Sequence, residues 1–149
     1  MSAYVAYLKA LTPESKASLG GSLFRIPHFP FKVGRECRVS VRPLPFPSSR
    51  RRPDSVPNND LYLLELGNIL NVSREHFLID RQGDTFIIVD RGSICGTLLE
   101  GELVGEKRKG GWKPLHNSDV IIVGGSESRF VFKFVVVAES EEPDISGGI

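Results

Sequence analysis

Cysteine is scarce in this chain, with only Cys37 and Cys95 in 149 residues. A structural zinc site wants four ligands at paired spacings and a disulfide scaffold wants several bridges, so neither holds this fold, and both thiols are read as reduced. Long apolar runs are missing too. A run free of charge such as Phe134 to Ala138 falls far short of the roughly 20 residues of a membrane-spanning helix. The first residues, Met1 to Lys9, carry no basic stretch ahead of an apolar run of secretory type, and the expected address is cytoplasmic. Net charge is nearly absent at +1. No Gly-x-x-x-x-Gly-Lys-Ser/Thr, Gly-x-Gly-x-x-Gly or His-Glu-x-x-His occurs. Nucleotide-binding and zinc-protease chemistry therefore lack their parts, and no cofactor or metal is expected.

What is present is ordinary globular composition, 40% hydrophobic and 25% charged, which predicts one domain over residues 1–138. A chain of this size buries roughly 70% of its unfolded surface and holds a core without staples. The charge is unevenly placed. Lys32, Arg35, Arg38, Arg42, Arg50, Arg51 and Arg52 face a single acid, Glu36, between Lys32 and Arg52, so an anionic partner is expected near that segment. Acids gather instead at Glu139, Glu141, Glu142 and Asp144, ahead of Ser146-Gly147-Gly148. Residues 139–149 read as a solvated tail or linker.

Strand patterns dominate. Phe130, Phe132, Phe134 and Val136 alternate with Val131, Lys133, Val135 and Val137, the period of a strand with two faces. Further strands are expected over Ala3 to Leu8, Leu23 to Val33, Arg38 to Arg42, Leu61 to Leu66, His76 to Asp80, Thr85 to Asp90, Thr97 to Leu99, Glu102 to Val104 and Val120 to Val123. Turn residues stand between them at Gln82-Gly83-Asp84, Glu100-Gly101, Gly110-Gly111 and Gly124-Gly125, which points to a sandwich or barrel. One short helix is expected, from an N-cap at Thr12 and Pro13 to Gly20-Gly21. Pro43 to Asn59 holds five prolines and three consecutive arginines without apolar periodicity, and reads as a long inserted surface loop.

Three segments carry chemistry. Phe31-Lys32-Val33-Gly34-Arg35 ends a strand on glycine and arginine, and a guanidinium meets two phosphate oxygens at once. Asn71-Val72-Ser73-Arg74-Glu75-His76 sets a hydroxyl, a second arginine and a histidine just before a strand. Asp90-Arg91-Gly92-Ser93-Ile94-Cys95-Gly96-Thr97 is a glycine-rich turn between strands. In this order, followed by hairpins and Asp119-Val120-Ile121-Ile122-Val123-Gly124, they resemble the forkhead-associated domain family over about residues 23–137. The resemblance implies an all-β sandwich of about eleven strands, with the Pro- and Arg-rich loop 43–59 as an insertion. It implies a non-catalytic module whose loops bind phosphothreonine in a partner protein marked by a Ser/Thr kinase. By the same resemblance, Arg35 and Ser73 would contact the phosphate and Arg74 would reach it. Gly34 and Gly96 would permit the close turns, and His76 would brace the loop. Cys95 and Thr97 would lie along the peptide backbone.

Cys95 departs from the family, which usually has asparagine there, bonding the peptide just after the phosphothreonine. A thiol is a weak donor and acceptor and cannot reproduce that amide clamp. Two readings therefore stay open: phosphothreonine recognition, and docking of a partner independent of phosphate. Thiol catalysis through Cys95 with His76, or a base such as His28 or His116, lacks an orienting signature. Nucleic acid is not the expected partner of Arg50-Arg51-Arg52 or Lys107-Arg108-Lys109, since neither run is interleaved with aromatic residues and the net charge is only +1. Trp112 is assigned to packing at the base of a loop.

Overall fold

Alternating apolar residues build the strands of this chain in the computed structural model, which describes residues 4–36, 58–66 and 70–139. The strands are β1 (Tyr4–Ala10), β2 (Leu23–Arg25), β3 (Phe31–Arg35), β4 (Leu61–Leu63), β5 (Phe77–Gln82) and β6 (Thr85–Asp90). They continue with β7 (Thr97–Leu99), β8 (Glu102–Leu103), β9 (Gly111–Leu115), β10 (Val120–Val123) and β11 (Val131–Ala138). Two sheets result, one of order β2-β1-β11-β10-β7-β8 and one of order β4-β3-β5-β6-β9. This is the eleven-stranded sandwich the sequence implied. The expected strand Arg38 to Arg42, the acidic tail beyond Glu139, and the loop 43–59 apart from Asn58 and Asn59 lie outside the described residues.

The inward faces meet in one apolar layer. Phe31, Val33, Phe77, Ile79 and Ile88 of one sheet, and Leu8, Ile121, Phe132 and Phe134 of the other, are completely or almost completely buried. The rings of Phe86 and Phe134 cross between the sheets edge to face, 5.2 Å apart, a favoured aromatic geometry. The helix α1 (Pro13–Leu19) forms where its signals stand. Thr12 Oγ1 accepts the Ser15 amide at 3.1 Å, and Gly20 ends the helix in the left-handed region at φ 77°.

Two elements differ from the sequence reading. Leu23 to Val33 is two strands in different sheets, because Pro27 and Pro30 lack the N–H groups a continuous ladder needs. Gly111 to Leu115 forms β9, an edge strand in which Pro114 hides the strand pattern. Trp112 lies on this strand with 62% of its surface exposed, so it does not pack at a loop base.

Registers place the functional loops. Val33 pairs with Phe77, Phe77 with Asp90, and Asp90 with Gly111. The end of β3, the start of β5, the end of β6 and the start of β9 therefore share one end of their sheet. Thr97 pairs with Val123 in the other sheet. Residues 91–96 thus cross from one sheet to the other at this same end.

Candidate phosphopeptide-binding site

Arg35 closes β3, and its amide donates to the Ser73 carbonyl at 3.0 Å. That bond pulls the 71–76 loop over the strand end. Gly34 makes the approach possible: a Cβ there would collide with the Arg74 carbonyl oxygen and stand 2.6 Å from Asn59 Nδ2. No side chain larger than hydrogen fits in this position. Asn59 Nδ2 in turn donates to the Arg74 carbonyl at 2.7 Å.

Ser73 sits at the junction of two loops. Its hydroxyl oxygen accepts the Ile94 amide at 3.0 Å, which leaves the hydroxyl proton free to donate outward. The Ser73 amide donates to His76 Nδ1 at 2.9 Å. An Nδ1 that accepts carries no proton, so Nε2 holds the ring's one hydrogen and donates it to the Gly96 carbonyl at 2.7 Å. His76 has no exposed surface. Burial pulls its pKa below the ordinary 6.5, opposed by the Gly96 bond and by Asp90 and Glu65. The neutral ring is a fixed strut between the two loops.

The 91–96 turn is wound around Asp90. Its Oδ2 accepts the amides of Gly92 and Ser93 at 3.0 and 2.9 Å. Its Oδ1 accepts the hydroxyls of Ser93 and Thr97, each at 2.6 Å. Four donors compensate a carboxylate that is only 3% exposed. Thr97 itself has no exposed surface, and its hydroxyl is committed to Asp90. Its side chain is an internal tie, which corrects the peptide contact expected of it. Cys95 is half-buried, its Sγ 3.9 Å from the Leu70 carbonyl, and Ile94 stands beside it 59% exposed.

The cations at this end divide by what they touch. Arg91 is held by Asn59 Oδ1 at 2.7 Å, the Asn58 carbonyl at 3.0 Å and Glu75 Oε2 at 3.4 Å. The side chains of Arg35, half-buried, and Arg74, exposed, have no hydrogen-bond or ion partner among the described residues. Sequence reasoning missed Asp90, Asn59, Glu65 and Arg91. Asp90 had a usable signal, since an aspartate two and three residues ahead of Gly92 and Ser93 is the spacing of an Asx turn. Glu65 had none. Its Oε1 accepts the amides of Asn71 and Val72, both at 2.8 Å, and fixes the start of the loop from a separate segment.

The sequence profile described as FHA domain matches residues 31–124, more than half of the chain. The chain belongs to the FHA domain family. The matched span reaches from β3 through β10 and contains every loop of the site. Solved FHA structures share the fold. The FHA domain of CT664 protein from Chlamydia trachomatis is 20% identical with a TM-score of 0.55, over 88% of this chain and 96% of that one. The kinase-interacting FHA domain of the Arabidopsis kinase-associated protein phosphatase, KAPP, is also 20% identical, with a TM-score of 0.60 over 95% of this chain and all of the other. Mycobacterium tuberculosis EmbR, solved with a low-affinity phosphopeptide, is 22% identical with a TM-score of 0.57, over 93% of this chain and 26% of that protein. No curated protein matches this FHA domain. Among the described residues no helix is long and apolar enough to cross a membrane.

Proposed function

We propose that this FHA domain is a non-catalytic module that binds phosphothreonine in a partner protein, and so makes an interaction conditional on a Ser/Thr kinase. The observation that carries the reading is Ser73: its oxygen accepts the Ile94 amide, its hydroxyl proton is left to donate, and it stands bonded to the end of the strand that bears Arg35, whose side chain has no partner among the described residues. A phosphate at neutral pH brings nearly two negative charges and three acceptor oxygens. Arg35, Ser73 and Arg74 meet them with charge-assisted hydrogen bonds, which are stronger than neutral ones. Unmodified threonine offers none of this charge, and the selectivity follows.

The second reading, docking independent of phosphate, rests on Cys95, whose thiol cannot make the two amide bonds that asparagine would. Calorimetric titration of a phosphothreonine peptide library beside its unphosphorylated twin separates the two. Binding by the phosphorylated set alone is expected, and equal binding by both sets would favour phosphate-independent docking.

A further inference from the structure

Trp112, the only tryptophan of the chain, lies on the outer face of the five-stranded sheet. Strand alternation puts it there. Phe77, Ile79, Phe86 and Ile88 are buried in the core, so the residues between them look outward. On β9 the neighbouring Lys113 turns the other way, to Glu102 of β8 at 3.6 Å. The register lines the outward residues into two adjacent rows. One runs Lys32, Leu78, Val89, Trp112, each opposite the next on the neighbouring strand. The other runs Asp80, Ile87, Pro114 in the same way. Leu78, Val89 and Ile87 are partly exposed and Pro114 and Trp112 are exposed. Together they make one apolar patch, with a cation on β3 and an anion on β5 at its margin.

We propose that this face binds the same face of a second copy of the chain. The two rows are complements of each other. A two-fold axis that runs across the strands between them sets each row on the other row of the second copy. Trp112 then stacks on the partner's Pro114, Val89 meets the partner's Ile87, and Lys32 reaches the partner's Asp80, each contact occurring twice. A partner of strong net charge finds no match on a face with one acid and one base, whereas a second copy brings the opposite sign to each. Pairing of two β9 edges is not the route, because Pro114 has no N–H to offer a ladder. The two rows are few residues against the roughly 20–30 a side of a standard interface, so the dimer is weak, with a dissociation constant on the order of tens of micromolar. About this axis the strands of the two copies run in opposite senses. Their loop ends point away from each other, and the dimer holds two partners at once, one at each end.

The test is sedimentation equilibrium of the intact chain from about 5 to 500 µM, a range that brackets such a constant, with Trp112 fluorescence read alongside. A reversible monomer–dimer equilibrium is expected, with emission moving to the red on dilution as the only indole returns to water. Trp112→Ala should weaken association about tenfold or more, as loss of a central aromatic contact does. Its urea midpoint should stay near wild type, since the side chain lies outside the core. Asp80→Lys should weaken association about threefold or more, because the two-fold axis counts the substitution twice. Adding Lys32→Asp to Asp80→Lys should restore the wild-type constant. Association that leaves the emission unchanged, or that ignores these substitutions, uses another face and overturns the proposal. A chain that stays monomeric throughout overturns it as well, and leaves the patch to a different protein. No phosphopeptide enters these measurements, so their outcome is independent of the phosphothreonine reading.

Discussion

Gly34 and the carbonyl of Arg74 lie in such close contact that even a methyl group on the glycine would have to displace the loop. The strand that delivers Arg35 and the loop that delivers Ser73 are thus packed main chain to main chain. Gly34→Ala should cost about 1–3 kcal/mol, the usual range for forcing an extra carbon into a filled site. It should also weaken phosphopeptide binding, because Arg35 and Ser73 would separate. Urea denaturation with parallel peptide titration measures both, and an unchanged variant would show that the contact yields freely.

Arg35→Ala behaves differently. Its guanidinium has no hydrogen-bond or ion partner among the described residues, so the denaturation midpoint should stay within experimental error of wild type. Preference for phosphorylated over unphosphorylated peptide should collapse, by roughly 1.5–3 kcal/mol or at least tenfold, the typical worth of a hydrogen bond to a charged group. Retained preference in a stable variant would refute the assignment of Arg35.

His76 ties stability to pH. Its folded pKa lies below the 6.5 of the free side chain, so the unfolded chain binds more protons between those two values. Stability contributed by the neutral ring is complete above pH 6.5 and is lost as the pH falls toward the folded pKa, with a slope of up to about 1.4 kcal/mol per pH unit. His76→Ala should lower stability by about 2–4 kcal/mol at pH 7.5, since it opens a cavity and orphans the Ser73 amide and one bond to the Gly96 carbonyl. It should also flatten the pH profile in this window. Loss of binding at full stability would make His76 a ligand contact instead of a strut.

Cys95→Asn should strengthen phosphopeptide binding by up to about 1–2 kcal/mol, because an amide can supply two neutral hydrogen bonds worth roughly 0.5–1.5 kcal/mol each. Stability should not fall, since asparagine suits a turn that precedes glycine. Paired calorimetric titrations of wild type and variant with one peptide decide the matter. Absence of phospho-dependent binding in both proteins would leave phosphate-independent docking as the better account.

Much of this molecule is legible in its residues because local rules act there without competition. Thr85 to Asp90, Thr97 to Leu99 and Val120 to Val123 match their strands residue for residue, each bounded by turn residues that stop the pattern. Leu23 to Val33 misleads because apolar content continues across Pro27 and Pro30 while the ladder cannot. β9 is hidden for the opposite reason. Its Gly111-Trp112-Lys113-Pro114-Leu115 has little alternation, and it is a strand only because β6 offers a partner from Phe86 to Asp90. At the site, the proposed phosphate contacts and the supports Gly34, Gly96 and His76 follow from the family resemblance, whereas Asp90, Asn59 and Glu65 do not. Thr97 reads as a contact in sequence, yet pairing with Val123 in the inner part of the sheet buries it beside Asp90. Glu65 and Asn59 act on loops to which only tertiary structure brings them.

The Gly96 carbonyl accepts from His76 Nε2 and also from the Gly124 amide at 2.9 Å, and the other seams at this end likewise engage the amides of Ser73, Ile94 and Arg108 and the carbonyl of Ser93. The side chains these seams require are those of His76 and Ser73, and the remaining atoms belong to the main chain, which any amino acid supplies. The side chains at positions 74, 94, 95, 107 and 108 carry little of the scaffolding, so a lineage can exchange them one at a time without first acquiring a compensating change elsewhere. A change of side chain at position 95 is the kind of step such an arrangement permits, because the main-chain bonds of Gly96 beside it do not depend on that side chain.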